Sequence, residues 1–198
     1  MNLVLTTLTG LFVWSSVATS SALTLPTPVE QAAEPVAPLA AATEKKIPVA
    51  ITGYNAVPEQ TDSDPLTTAW GIRSNPEIVA AVSRDLLGTL PFGTVVALET
   101  NNPTGKYCGY EEVEHLIGYR VVADTMNARH TDRMDILFDT DADVEVGTGE
   151  KRKAINAAKV LASCGNITAR VVGKVSLKDV PETQAELAMR VERTLAAK

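Results

Sequence analysis

Short stretches of alternating apolar and polar residues recur along the chain between residues 47 and 175. The first, residues 47–52, reads IPVAIT and carries a branched apolar side chain at every second position. This period of two is typical of a β-strand with one buried face. Similar runs, separated by turn-forming clusters of Gly, Pro, Asn and Asp, are 77–83, 93–99, 117–124, 133–138 and 166–175. Many short strands with few helices predict a mainly β protein, a six-stranded closed barrel.

Two segments have helical rather than strand-like spacing. In residues 151–163 apolar side chains recur every three or four positions and Gly165 follows as a stop signal, which predicts one helix packed against the barrel. A second helix is expected to open after Pro181 and to form a C-terminal helical tail over 177–198. Its apolar stripe would be Leu187, Val191 and Leu195. His115, in EEVEHLIGY, is expected near the start of a strand.

The N-terminal 46 residues lack the pattern of a folded domain. Residues 1–22 contain an apolar run without charges, followed by small residues that suit signal peptidase, so we expect a signal peptide or an N-terminal anchor. The buried first helix of a domain is the other interpretation. Residues 23–46 are rich in Pro and Ala and predict a tether, which leaves 47–176 as the folded barrel domain. We therefore expect export to the periplasm, cell envelope or exterior, with membrane contact only through an uncleaved N-terminal segment.

Composition restricts the partners and cofactors. The net charge of −6 and the absence of a basic stripe argue against a nucleic-acid partner, because phosphate binding needs clustered Lys and Arg. Two cysteines and two histidines are too few for the usual zinc site, and we expect no metal and no cofactor. The acidic stretch 139–150 resembles a calcium loop but has Val144 where that loop needs glycine, so a solvated loop is favoured. Cys108 and Cys164 could pair in an oxidising compartment, but the sequence does not show whether they meet.

Two aspartates stand out in residues 121–138, VVADTMNARHTDRMDILF. Asp124 closes one apolar strand, and Asp135 lies inside the next, on the face opposite Met134 and Ile136. A carboxylate within an apolar strand is costly unless it is paired, hydrogen-bonded or functional. Partial burial would raise the pKa of Asp135 and make it a proton donor near neutral pH. Asp135 could instead form a salt bridge with Arg133 or Arg129, or cap a turn.

Several blocks of the sequence, in order, resemble the 3D domain, named for three aspartates, of cell-wall proteins and of MltA-type lytic murein transglycosylases. The blocks are VAITGY at 49–54, QTDSDP at 60–65, LPFGT at 90–94, VAD at 122–124 and RMDI at 133–136. The resemblance covers about 125 residues, most of the predicted domain. It implies a double-psi β-barrel with its aspartates at one groove.

The same resemblance implies a function and a set of site residues. Enzymes of this type cleave the MurNAc–GlcNAc bond of peptidoglycan without water and leave 1,6-anhydro ends. The catalytic acid then falls on Asp135 and the first aspartate of the pair on Asp124, while Asp62 could supply the third carboxylate. Arg129 and Arg133 could bind the carboxylates of muropeptides.

Departures from the family pattern keep other functions open. Ser83 stands where transglycosylase-like members carry their earliest aspartate, with Asp85 two residues later. The turn between Asp124 and Asp135 lacks the glycines common in the enzymes, and we expect no second domain that would complete a groove. A noncatalytic wall-binding or structural barrel is therefore the alternative. A third interpretation is a regulatory protein that binds a partner through its C-terminal helix.

Overall fold

The structure, a computed structural model, describes residues 37–61 and 63–197. The predicted signal segment, most of the predicted tether and Asp62 lie outside the described residues. None of the helices in the described ranges is long and apolar enough to span a lipid bilayer.

The described chain contains eight β-strands and three α-helices. The strands are β1 Lys46–Asn55, β2 Val79–Val82, β3 Thr94–Glu99, β4 Tyr119–Thr125, β5 Arg133–Phe138, β6 Asp143–Val146, β7 Lys153–Asn156 and β8 Ser163–Lys174. The helices are α1 Tyr110–Ile117, α2 Ala157–Leu161 and α3 Gln184–Ala196, with short 3₁₀ turns at Arg84–Gly88 and Gly149–Lys151.

Six of the strands close into a barrel in the order β1-β5-β2-β4-β3-β8, with β8 returning to β1. The pairs β1–β5 and β2–β4 are parallel, and the other four pairs in the barrel are antiparallel. The prediction of a mainly β chain with a closed six-stranded barrel is confirmed. Each of the six runs of apolar residues overlaps one barrel strand, although the 77–83 run provides only the four residues of β2.

Apolar side chains on the two faces of the barrel wall form separate clusters. One cluster collects Val49, Ile51, Ala80, Val122 and Met134 together with residues of α1 and α2. The other collects the alternate strand positions and is covered by Leu187 and Val191 of α3. Along β1 the exposed Lys46 and Pro48 alternate with Val49 and Ile51, so the first cluster faces the barrel interior and the second lies on the outer face.

A fully buried arginine ties this core together. The guanidinium of Arg120, on β4, donates hydrogen bonds to five backbone carbonyls and stacks 5.8 Å from the ring centre of Phe138. The carbonyls belong to Pro76, Val79, Leu116, Ile117 and Leu137. They lie at the end of α1, before and within β2, and on β5. Burial lowers the pKa of Arg120 to about 10, so the side chain remains charged at neutral pH.

The predicted helix over 151–163 is wrong for most of its length. Its first half forms β7, which pairs with β6 in a separate two-stranded sheet, and α2 covers only Ala157–Leu161. The tight turn uses Gly147 and Gly149 at positive φ, and the hairpin places Val144 opposite Ile155. Asn156 then caps α2, its side chain accepting a hydrogen bond from the Ala158 amide. The acidic stretch 139–150 therefore contributes a strand as well as a turn.

His115 lies just before β4, which begins at Tyr119, but it lies within α1, a helix that the sequence did not predict. Tyr110, Val113 and Ile117 form the buried stripe of this helix, at helical spacing. Glu111 in the first turn suits the positive end of the helix dipole. Gly118 ends the helix at a φ of 56°, a conformation that a residue with a Cβ rarely adopts.

The C-terminal helix packs on the barrel through two residues of its predicted stripe, Leu187 and Val191, which are fully buried, whereas Leu195 is exposed. Its first residue, Gln184, accepts a hydrogen bond from the Tyr119 amide and donates to the carbonyls of Ile117 and Tyr119. At the other end Thr194 accepts a hydrogen bond from the amide of buried Leu39. The described end of the predicted tether therefore contacts the barrel domain through Leu39.

A disulfide joins Cys108, just before α1, to Cys164 at the start of β8, across 56 residues of sequence. The sequence left this pairing open. Cys164 is fully buried and lies opposite Ile51 in the ladder between β1 and β8. The bond therefore holds the loop before α1 against the barrel.

Replacing both cysteines by alanine is expected to lower the free energy of unfolding by about 4 kcal/mol, since a crosslink over this separation restricts the unfolded chain. Urea denaturation under non-reducing conditions measures the loss. Wild-type protein in excess thiol is the control and should approach the double variant. An unchanged midpoint in both would contradict the assigned stabilisation.

Candidate active site

Three neighbouring strands bring the two predicted aspartates into one row. In the ladders Asp135 of β5 lies opposite Thr52 of β1 and Ala81 of β2, and Ala81 lies opposite Asp124 of β4. Two strand spacings separate the backbones of Asp124 and Asp135, about 10 Å. The row lies on the outer face, because Met134 and Ile136 point into the barrel and side chains alternate along a strand. Between the backbones of the two aspartates, β2 contributes only the methyl group of Ala81 to this row.

Asp135 is half-buried and weakly hydrogen-bonded for a carboxylate. Its Oδ1 accepts a hydrogen bond from the Thr52 hydroxyl at 2.9 Å, and Thr52 is its one hydrogen-bond donor among the residues that the structure describes. Burial raises the pKa of Asp135 to about 6, with a smaller upward effect from Asp124. The Thr52 hydrogen bond and the charge of Arg133 act in the opposite direction. Asp135 therefore exchanges its proton near neutral pH.

Asp124 has a different environment, because both of its oxygens are used by the protein. Oδ1 accepts hydrogen bonds from the backbone amides of Ala69, at 2.9 Å, and Thr125, at 2.8 Å. Oδ2 accepts a longer hydrogen bond, 3.4 Å, from the Tyr54 hydroxyl. Three donors, two of which are distant in sequence, favour a fixed carboxylate. Asp124 also attaches the loop around Ala69 to the edge of the site.

Tyr54 is a site residue that sequence reasoning missed. It is 7% exposed and lies two residues after Thr52, on the same face of β1. Burial, followed by the charges of Asp124 and Asp135, raises the pKa of its phenol well above the ordinary value. Tyr54 is therefore a neutral hydrogen-bond donor beside both carboxylates. The period of two along VAITGY was the signal that could have placed Thr52 and Tyr54 together.

The two predicted substrate-binding arginines differ in their relation to the site. Arg133 is half-buried on β5, and its charge acts on Asp135, but no ion pair joins the two within the described chain. Arg129 is exposed in the β4–β5 loop, where its Nε donates to Nε2 of His130 at 3.2 Å. The salt bridge to Asp135 that the sequence left open is therefore not formed with either arginine. Asp62 lies outside the described residues.

Ser83 and Asp85 support the β4–β5 loop. Ser83 is fully buried and its hydroxyl accepts a hydrogen bond from the Arg133 amide. The Asp85 carboxylate accepts one from the amide of Asp132, a residue at a φ of 53°. This hydrogen bond is the main reason that the pKa of Asp85 is lowered. The position that the family pattern gives to an aspartate is thus filled by a buried hydroxyl with a backbone partner.

Trp70 packs against the outside of the barrel beside the site. Its ring stacks on Phe92 with 6.3 Å between ring centres, and its amide donates to the carbonyl of Ala123. A Cβ on Gly93 would come within 3.1 Å of the Trp70 ring. Trp70 therefore fixes the loop that supplies the Ala69 amide to Asp124.

Two surface pockets lie away from the aspartates. The larger, of about 570 Å³, is lined by polar residues of β3, β8 and the loop after β3, and the smaller, of about 320 Å³, by residues around Thr43 and Thr89. Neither is lined by Asp124 or Asp135. The larger contains Glu99, which is paired with Arg170 at 2.5 Å. We place the candidate site at the aspartates rather than in either pocket, because Asp135, a carboxyl group with a raised pKa, lies there.

The raised pKa of Asp135 predicts a pH-dependent cost in stability. Between pH 4 and 6 the folded protein holds a proton that an unfolded aspartate, with its pKa of 3.8, has lost. The stabilisation from this group is therefore present at pH 4 and is lost as the pH rises through 6. Asp135→Asn cannot ionise, so its stability relative to wild type should improve by up to about 3 kcal/mol between pH 4 and 7.

Urea denaturation at pH 4, 5, 6 and 7 measures this difference. Asp141→Asn is the matched control, because it makes the same change at an exposed carboxylate. A difference for Asp135→Asn that stays flat with pH would show that burial does not perturb this carboxyl group.

No protein-family model matches the chain, and no curated protein sequence matches it either. The function is therefore argued from the geometry of the site.

Proposed function

We propose that the protein cleaves peptidoglycan as a lytic transglycosylase-type enzyme, acting on MurNAc–GlcNAc β-1,4 bonds with Asp135 as the catalytic group. The observation that carries the proposal is the half-buried Asp135 with a pKa of about 6, beside a separately anchored Asp124. A group that must first donate and then recover a proton works best when both of its forms are populated at the working pH.

The barrel supports the further proposal of a double-psi topology of the 3D type. Two parallel pairs, β1–β5 and β2–β4, lie side by side in the barrel and are joined by the antiparallel pair β5–β2. The aspartate row crosses these same strands. The resemblance in sequence places its blocks VAITGY, VAD and RMDI on β1, β4 and β5, the strands that supply Thr52, Tyr54, Asp124 and Asp135.

The proposed reaction uses one carboxyl group twice. Protonated Asp135 gives its proton to the glycosidic oxygen as the bond from that oxygen to C1 of MurNAc breaks, which releases the GlcNAc O4 as a hydroxyl. The Asp135 carboxylate then takes the proton of the MurNAc C6 hydroxyl while O6 bonds to C1 and closes the 1,6-anhydro ring. No water is consumed, and Asp135 returns to its protonated form. This differs from glycosidases that divide the work between two carboxyl groups.

Asp124 has an electrostatic role in this proposal. Positive charge develops at C1 as the glycosidic bond breaks, and a carboxylate held by Ala69, Thr125 and Tyr54 supplies a preorganised negative charge nearby. Arg133, Arg129 and Asp62 remain proposed contacts for the peptide and sugar parts of the substrate. Of these, Arg133 is supported by its electrostatic effect on Asp135.

The disulfide supports the proposed export of the protein. Disulfide bonds form and persist in the periplasm and outside the cell and are rare where thiols are kept reduced. The pairing of Cys108 with Cys164 therefore fits a protein that reaches the compartment of its proposed substrate.

A noncatalytic wall-binding barrel is the second candidate function. Ser83, which is buried and bonded to the Arg133 amide, stands in place of one family aspartate, so the site has fewer carboxylates than the enzymes it resembles. A barrel that had lost catalysis could still bind glycan strands along the same outer face.

One digestion separates the two functions. The full-length protein is incubated with purified peptidoglycan, and the soluble products are analysed by mass spectrometry. Muropeptides with 1,6-anhydro ends, 18 Da lighter than the hydrolysed forms because no water is added, are the expected result. Co-sedimentation with peptidoglycan without any released product would favour the wall-binding barrel.

A further inference from the structure

The two oxygens of Asp135 are not equivalent. The Thr52 hydroxyl donates to Oδ1 at 2.9 Å, whereas Oδ2 accepts no hydrogen bond from the residues that the structure describes. Because the Thr52 hydroxyl directs its hydrogen at Oδ1, a proton on Oδ1 would face that hydrogen. The carboxyl proton of Asp135 is therefore favoured on Oδ2. The structure thus distinguishes a held oxygen from a free one.

The strands β5 and β8 on either side of β1, together with α2, fix the position of Thr52. Its backbone lies opposite Asp135 in the parallel ladder and opposite Ser163 of β8 in the antiparallel one. The next residue, Gly53, packs so closely on α2 that an added Cβ would lie 2.7 Å from the Cα of Ala158. The hydroxyl of Thr52 is therefore presented to Asp135 by three fixed elements rather than by a mobile loop.

We propose that Thr52 is the positioning residue of the candidate acid: its hydroxyl holds Oδ1 of Asp135, so that Oδ2 is the oxygen that exchanges a proton with the sugar. The inference rests on the proposed function and assigns the proton transfers within it. The proton on Oδ2 goes to the glycosidic oxygen as the bond from C1 to that oxygen breaks. Oδ2 then receives the proton of the C6 hydroxyl as the bond from O6 to C1 forms.

Four other residues near Asp135 determine the charges around the hydrogen bond from Thr52. Tyr54 from β1 is neutral, Asp124 from β4 is negative and Arg133 from β5 is positive, while β2 contributes the uncharged Ala81. The Thr52 hydrogen bond favours the ionised form of Asp135, against the effect of burial. Removing the hydroxyl alone leaves all four neighbours in place.

The test compares Thr52→Val, which keeps the shape and loses the hydroxyl, with Thr52→Ser, which keeps the hydroxyl. The pKa of Asp135 is read directly from the carboxyl ¹³C shift in an NMR titration, assigned with Asp135→Asn, so the measurement does not depend on activity. In Thr52→Val we expect an upward shift of about one unit, because a hydrogen bond to a charged group is lost. In Thr52→Ser we expect the wild-type value.

Murein cleavage is measured on the same variants as a function of pH. For Thr52→Val we expect kcat to fall about tenfold with KM nearly unchanged, since the carboxyl group is less precisely oriented, and the pH profile to move upward with the pKa. Thr52→Ser should restore both. Thermal unfolding of each variant verifies that it is folded.

The outcomes separate this inference from the proposed function. An unchanged Asp135 pKa in folded Thr52→Val, or a kcat equal to that of active wild type, would overturn the role of Thr52. Wild-type protein that releases no 1,6-anhydro product would overturn the proposed function itself and the catalytic role of Thr52 with it.

Discussion

Asp135→Asn is expected to abolish murein cleavage while leaving the barrel folded. Asparagine has nearly the same shape and can still accept the hydrogen bond from Thr52, but it cannot donate a proton and recover it. Loss of general-acid catalysis alone reduces rates by roughly 10²–10⁴, and here the same group also acts as the base. The release of 1,6-anhydro muropeptides, followed by mass spectrometry over time, measures the loss.

Asp124→Asn and Asp141→Asn are the comparison variants for this experiment. Asp124→Asn should cost less than Asp135→Asn, because Asp124 is anchored by protein donors and transfers no proton in the proposed reaction. It should also move the activity profile toward lower pH, since removal of a neighbouring negative charge lowers the pKa of Asp135. Asp141→Asn, at an exposed site, should be fully active. Turnover by Asp135→Asn at the wild-type rate would refute the catalytic assignment.

Arg120→Met is expected to be the most destabilising single substitution in the barrel domain. Methionine fills part of the volume but removes a donor from five buried or half-buried carbonyls, of which that of Ile117 keeps its hydrogen bond from Gln184. Breaking a buried network on one side costs about 3–5 kcal/mol, a large part of the stability of an ordinary domain. Urea denaturation followed by circular dichroism would therefore show a much lower midpoint, or a chain already partly unfolded in buffer.

Two further variants test why Arg120 matters. Arg120→Lys keeps a positive charge but cannot reach carbonyls in three directions with one ammonium group, so it should recover little of the loss. Arg152→Met changes an exposed arginine and should alter the free energy of unfolding by less than about 0.5 kcal/mol. An Arg120→Met protein as stable as wild type would mean that the buried carbonyls find other partners.

The barrel strands could be predicted from sequence because their signal is local. Each barrel strand has one face toward an apolar interior. Apolar residues therefore occupy every second position of a strand, as in residues 47–52. The tail helix carried an equally plain stripe. The hairpin of β6 and β7 was missed because its acidic and basic side chains are largely exposed, so apolar spacing hardly constrains it. The α1 helix was missed because its eight residues contain only two helical turns of pattern.

The candidate site could likewise be predicted from the sequence only in part. Asp135 could be singled out because a carboxylate interrupts an apolar strand, and its face followed from strand alternation. Thr52, which donates to Asp135, and Tyr54, which donates to Asp124, could not be assigned in this way. Both come from β1, which lies about 80 residues before β5 and pairs with it in parallel. The role of Arg120 could not be predicted either. Its partners are backbone carbonyls, which every residue has, so no residue type indicates them. Long-range pairing, rather than residue type, is what the sequence alone does not reveal.

The order in which the strands pair has a consequence for biosynthesis. The first strand, β1, and the third, β3, both pair with β8, which ends at Lys174, so neither can complete its hydrogen bonding until the last strand has been made. A nascent chain that stops short of residue 163 holds an open sheet with two unsatisfied edges. Such non-local topology slows folding relative to translation. The barrel therefore cannot close until β8 has been synthesised.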